Sequence, residues 1–166
     1  MKSREQFRSI ADVYCRTRGL LLANSTVFGY GVHGTVFSCS REYHAVRTAL
    51  KIHEFEVPYF RERDVYLRLR AFEVEVVEGH YVPQLIDFDD DLLAIEMSVV
   101  VRPFVLDFGG AYLDRSPEHG EEVLAEWNRE KEEQFEENWP KAQLVLSGLR
   151  RYGIYVTDVN PGNIGF

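Results

Sequence analysis

The stretch TVFGYGVHGTVFSC, residues 26–39, runs β-branched and aromatic residues up to a set of glycines and away again, and AVRTALKI, residues 45–52, adds a third such run. Short runs of this kind, punctuated by glycine and polar turns, predict an antiparallel meander of three strands. Next comes PYFRERDVYLRLRAF, residues 58–72, whose proline suits the first turn of a helix. Two further strands are expected around QLIDF and LLAIEMSVV, joined by the acidic turn Asp89–Asp91. Ahead of the meander, Phe7, Ile10, Ala11, Tyr14 and Cys15 recur at three- and four-residue intervals, the pattern of an amphipathic helix over residues 4–18.

The second half reads differently. After RPFVLDFGGAYLD, Ser116 and Pro117 offer a cap and first turn for a helix to about Asn138. Pro140 restarts a second helix, KAQLVLSGLRRY, which Gly153 is placed to end. A mostly β half is thus followed by a mostly α half.

Composition narrows the function. The chain has 166 residues, 45% of them hydrophobic, and a formal net charge of −8. A nucleic-acid partner is not expected, because phosphate neutralisation needs a basic face. No run approaches the roughly 18 apolar residues of a membrane span, and MKSREQFRS lacks the apolar core of a signal peptide. No membrane partner and a cytoplasmic location are expected. Cys15 and Cys39 lack metal-ligand spacing and read as reduced thiols.

Three stretches carry chemistry. GYGVHGTV, residues 29–36, fits GxGxxGxV, with Gly29, Gly31 and Gly34 in a hairpin that could lie close to phosphate oxygens. An ordinary hairpin turn explains the same glycines. Lys51 lies in an otherwise apolar strand, where an ammonium is costly unless it meets a partner or an anion. Glu62, on the following helix, is the natural partner, although an edge-strand lysine with its head in water has the same pattern. The last stretch, YVTDVNPGNIGF at 155–166, sets Asp158 five residues before Asn163, with Pro161 and Gly162 turning the chain between them.

In this order the pieces resemble the protein kinase-like superfamily, from about residue 24 to residue 166. The run DVNPGNI is closest to the DxHPGN loop of aminoglycoside and other small-molecule kinases. The resemblance implies an α+β, two-lobed fold: a five-stranded antiparallel sheet with one helix within about residues 1–97, and a reduced helical part over about 98–166. It implies that Gly29, Gly31 and Gly34 cover the phosphates of ATP, that Val36 and Ala49 wall the adenine, and that the backbone of Glu96, Met97 and Ser98 forms the hinge that bonds it. Lys51 would hold the α- and β-phosphates and Glu62 would hold Lys51. Asp158 would take or orient the proton of the attacking hydroxyl, and Asn163 would coordinate a weakly held Mg²⁺.

The departures matter as well. Val156 and Thr157 stand where the family usually has histidine and arginine or glycine, Asn160 replaces a lysine of protein-serine kinases, and the Lys51–Glu62 spacing is short. Kinases carry a second metal ligand on a DFG aspartate downstream of the catalytic loop. The DFG of this chain, Asp107 to Gly109, precedes that loop and reads as a glycine-rich turn. Three readings follow. The first is a minimal ATP-dependent phosphotransferase using Asp158, and the second a pseudokinase that binds nucleotide or a protein partner. In the third, the chain is the front part of a larger kinase. The final residues should pack inward, since Val159, Ile164 and Phe166 are apolar.

Overall fold

The fold comes from a computed structural model and is described for residues 2–31, 34–41, 46–117 and 120–166, with backbone alone for 24–31. The first helix, α1 (Arg4–Arg18), starts at Ser3, whose hydroxyl accepts from the Gln6 N–H while the Gln6 side chain accepts from the Ser3 N–H. This reciprocal cap satisfies two orphan donors. Gly19, at φ 65°, ends the helix in a left-handed turn that costs a residue without Cβ little.

Then follow strands β1 (Leu20–Gly31), β2 (Gly34–Arg41) and β3 (Arg47–His53), and helix α2 (Glu56–Ala71). A short hairpin, β4 (Val76–Val77) and β5 (His80–Tyr81), precedes strands β6 (Leu85–Asp89) and β7 (Ala94–Ser98). The five long strands form one antiparallel sheet in the order β1-β2-β3-β7-β6. The chain is therefore α+β with the expected five-stranded antiparallel sheet. The hairpin between α2 and β6 was not foreseen.

Because side chains alternate across a strand, β3 serves both faces of the sheet. Leu50 and Ile52 join Phe7, Ala11, Tyr14 and Cys15 of α1 in one buried cluster. Ala49 belongs to the cluster on the opposite face, with Tyr59, Val65, Tyr66 and Leu69 of α2. Cys15 and Cys39 lie within the α1-side cluster as free, buried thiols 3.4 Å apart.

Gly34 has a packing reason for its identity. A Cβ on it would lie 2.1 Å from the Ile52 carbonyl oxygen, so the close approach of β2 to β3 admits glycine alone.

Past the sheet, the chain forms β8 (Phe104–Val105), β9 (Tyr112–Leu113), α3 (Glu121–Phe135), a 3₁₀ turn (Glu136–Asn138), α4 (Trp139–Arg150), β10 (Ile154–Tyr155) and β11 (Ile164–Gly165). The expected cap at Ser116–Pro117 does not form. The Ser116 hydroxyl donates to the Pro117 carbonyl, and α3 begins after Gly120 without a side-chain cap. Residues 112–113 are instead drawn into a strand: β9 pairs with β10, and beyond it the Asp114 N–H donates to the Gly153 carbonyl. Pro140 does sit in the first turn of α4, and Gly153, at φ 71°, follows its end.

The α2-side cluster continues without a break into Phe135, Trp139, Leu146, Leu149, Val159 and Ile164. Phe166 packs against it, edge-on to His80 and Phe135. The last nine residues are thus anchored to the core, as their apolar positions suggested. Among the described residues, no helix is long and apolar enough to cross a membrane.

Gly34→Ala forces β2 away from β3 and lowers stability by about 1–3 kcal/mol or more. Urea unfolding of the two proteins measures this, and an unchanged midpoint would show that the strands separate freely.

Candidate functional site

Lys51 is the buried cation of β3, 6% exposed, on the face that meets α2. Its Nζ donates to Glu62 Oε2 at 2.7 Å and to Asp107 Oδ1 at 3.0 Å. Glu62 occupies the buried stripe of α2 among Tyr59, Val65, Tyr66 and Leu69. The sequence places that carboxylate one helical turn from apolar neighbours, so folding drives it into the core, where only a cation or strong donors make it tolerable.

Electrostatics follow from this packing. Burial alone would raise the Glu62 pKa, but the Lys51 charge and the hydrogen bond from His53 bring it down to about 2. Burial likewise works to lower the Lys51 pKa; the Glu62 and Asp107 carboxylates outweigh it and leave the net shift upward. Tyr66, buried beside both acids, is pushed well above the usual phenol range, by burial first and then by the charges of Glu62 and Asp107.

A third member of this group, His53, was not singled out from the sequence. Its Nε2 lies 2.8 Å from the same Glu62 oxygen that accepts from Lys51, and its Nδ1 lies 3.3 Å from the Leu93 carbonyl. The signal was present: His53 stands two residues after Lys51, hence on the same face of the strand. Tyr59 packs edge-on against the His53 ring and donates to Asp90 at 2.6 Å. Arg63 pairs with the same Asp90, so α2 is tied to the β6–β7 turn as well as to β3.

Asp107 does precede a glycine-rich turn, as expected, and that turn sets its carboxylate beside Lys51. Asp107 follows β8 with a left-handed backbone, φ 58°, and its Oδ1 accepts from both Lys51 and the Gly109 N–H. Phe108 is fully buried, edge-on to Tyr66. β8 pairs antiparallel with β11, and the Leu106 N–H donates to the Asn163 carbonyl at 2.7 Å. A Cβ on Gly110 would lie 3.1 Å from Thr157 Oγ1 and 3.3 Å from Asp158 Cβ, so glycine lets this segment lie against the loop that carries Asp158. The Thr157 hydroxyl donates to the Gly110 carbonyl at 2.6 Å. A segment 50 residues upstream in the chain is thereby a spatial neighbour of Asp158 and Asn163.

The loop is organised by Asn160. Its Oδ1 accepts from the N–H groups of Gly162 and Asn163, and its Nδ2 donates to Asp158 Oδ1 at 3.1 Å. Asn163 Nδ2 donates to the Asp158 carbonyl at 3.0 Å and to Asp158 Oδ2 at 3.3 Å. Buried Val159 and Ile164 anchor either side, which leaves Asp158 exposed and aimed by two amides. Among the described residues, Asn163 Oδ1 accepts no hydrogen bond.

The remaining candidates divide. Val36 is opposite both Gly29 and Lys51 in register, and Gly31 is opposite Gly34, which puts the glycine hairpin next to the lysine strand. Val32 and His33 at its tip lie outside the described residues. Ala49 is buried, across from Met97. Glu96 sits between Leu50 and Asp87, paired on both sides inside the sheet. Its side chain reaches the α1 face, accepting from Tyr14 at 3.3 Å and Thr48 at 2.9 Å. The Ser98 N–H already donates to Gln84, and the Ser98 hydroxyl accepts from the Gln84 N–H. Met97 Sδ takes the Tyr66 hydroxyl.

Glu62→Gln leaves Lys51 with one carboxylate and costs about 3–5 kcal/mol. The folded-state pKa of Glu62 is depressed, so its contribution is present in full above about pH 4.5 and is lost as pH falls towards 2. Denaturation midpoints of wild type and variant between pH 7 and 3 should therefore converge on the acid side; a constant gap would mean that the carboxylate is not ionised in the fold.

Comparison of the chain with protein-family models and with curated proteins returns no match, so the reading of the site rests on its own geometry.

Proposed function

We propose that this protein binds ATP and transfers its terminal phosphoryl group to a hydroxyl. The observation that carries this reading is the junction at Lys51, where one ammonium meets Glu62 and Asp107 while Leu106, next to Asp107, is hydrogen-bonded to Asn163. An ammonium has three donors, and two are engaged here, leaving one for a phosphate oxygen. Glu62 and His53 keep that donor in place, and the glycine hairpin lies on the neighbouring strands.

The sequence argument for a pseudokinase was the missing downstream aspartate together with the missing remainder of the helical half; the place of Asp107 beside Lys51, on a segment bonded to Asn163, supports giving Asp107 the role of that aspartate. Magnesium prefers oxygen ligands and is commonly held by one or two carboxylates together with substrate phosphates. Asp107 and Asn163, with a carboxylate oxygen and a free amide oxygen, fit that requirement and would hold the ion. When bound, Mg²⁺ supplies charge neutralisation of the phosphates.

The chain's own groups do the rest. Lys51 binds and orients phosphate, and Asp158, exposed and held by Asn160 and Asn163, accepts the proton of an acceptor hydroxyl placed beside it. The hinge is drawn from the backbone near Glu96, Met97 and Ser98. With the Ser98 N–H already spent on Gln84, the segment just beyond β7 is the better source of free donors.

Titration with ATP and with AMP, with and without Mg²⁺, tests this reading. Lys51→Ala should weaken ATP about 10- to 100-fold and AMP hardly at all. Asp107→Asn should abolish the Mg²⁺ dependence. Asp158→Asn should keep ATP binding within about twofold while lowering phosphoryl transfer by about 10²–10⁴. Wild-type protein that binds neither nucleotide would remove the proposal.

A further inference from the structure

We propose that Cys15 and Cys39 form a redox site, in which hydrogen peroxide joins the two sulfurs in a disulfide and thereby fastens α1 to the sheet. The inference goes beyond the phosphotransfer reading and does not depend on it.

Placement is the first argument. Cys15 lies on the buried stripe of α1 and Cys39 on the face of β2 that this helix covers, 2% and 1% exposed. They are the two cysteines of the chain, 24 positions apart, and folding sets their sulfurs 3.4 Å from each other. A bonded pair sits at about 2.05 Å, so each sulfur has to move by about 0.7 Å. Leu20, Phe37 and Leu50 share the cluster, and such a setting admits peroxide, a molecule little larger than water, more readily than a bulky disulfide reagent.

The contact also makes the two thiols unequal. The hydrogen bond with Cys39 brings the Cys15 pKa down from the usual thiol value, and the same bond, ahead of burial, pushes Cys39 up. Cys15 is therefore the thiol that ionises and reacts first. Its sulfur attacks one peroxide oxygen, the O–O bond breaks, hydroxide leaves, and Cys15 becomes a sulfenic acid. Cys39 then attacks that sulfur; the S–O bond breaks, and the hydroxyl leaves with the Cys39 proton as water. The thiols give up two electrons and two protons, and one peroxide becomes two waters. Because Cys39 is already in contact, the sulfenic acid is captured before it can be oxidised further.

The bond changes how α1 is held. In the reduced protein this helix is kept on the sheet by apolar packing, the Tyr14–Glu96 hydrogen bond and the contacts of Arg18 with Asp87 and Asp89. A disulfide closes a loop containing all of β1 and the start of β2. Closing that loop removes freedom from the unfolded chain, so the oxidised protein resists unfolding and α1 cannot leave the sheet on its own.

Treatment of the full chain with hydrogen peroxide, followed by intact mass, a non-reducing gel and thermal melting, tests the assignment. The chain should lose the mass of two hydrogens, remain a monomer and melt about 5–10 °C higher, with dithiothreitol reversing the change. Peptide mapping of the oxidised wild type should recover Cys15 and Cys39 in one bonded pair of peptides. Cys15→Ala and Cys39→Ala should each abolish both the loss of hydrogens and the rise in melting temperature. The comparison is between treated and untreated samples of the same variant, so a variant that is itself less stable still reports. Gain of oxygen in place of loss of hydrogen in the wild type, a cross-linked dimer, or closure only after unfolding in urea overturns the site. A bond that forms in the native protein without raising the melting temperature overturns the fastening of α1.

Discussion

The interaction on which the rest depends is the buried contact between Lys51 and Glu62. Each charge, alone in the core, would cost several kcal/mol, so neither residue is tolerable without the other. The consequence is geometric. To satisfy the pair, α2 must lie against β3 with one register, and the stripe containing Tyr59, Val65, Tyr66 and Leu69 is then committed to the core. His53 and the Tyr59–Asp90–Arg63 contacts make this docking redundant, which suits a helix that holds a fixed position more than one that swings.

The opposite face of the sheet solves a related problem by other means. Glu96 is also a buried acid, 2% exposed, but hydroxyls of Tyr14 and Thr48 satisfy it without a cation. Tyr14 belongs to α1, so the helix that covers this face also supplies a donor for it. Its phenol is driven above its usual range, by burial first and then by Glu96, and it therefore remains a donor. The sheet is clamped between α1 and α2, and the strand that carries Lys51 has side chains committed on both faces.

The chain order around Asp107 shows why a motif's position in sequence is a poor guide to its place in space. β8 precedes α3 and α4, and β11 follows them, yet the two strands pair. A strand ladder requires adjacency in space and direction, and it is indifferent to which partner was synthesised first. The sequence order of DFG and DVNPGN made Asp107 look irrelevant; the pairing of β8 with β11, and the glycine at 110, put it on the site.

Much of the fold was legible because it follows from local periodicity. The β-branched and aromatic runs of β2 and β3, the 3.6-residue spacing of α1, and the turn chemistry of Pro140 and Gly153 each act within a few residues. The partnership of Lys51 with Glu62 was also legible, since two charges in apolar surroundings demand each other. The start of α3 was not. Ser116 and Pro117 carry local helix signals, but pairing of residues 112–113 with 154–155 overrides them. Nor were His53 and Asn160 recognised in their roles, because each acts through a hydrogen bond whose partner is fixed only when the loop or helix has docked. The sequence by itself determined the elements and the charges that had to be paired. The tertiary structure alone decided which carboxylate joined Lys51 second, because long-range strand pairing is selected by burial of the whole sheet and core and leaves no local mark on Asp107.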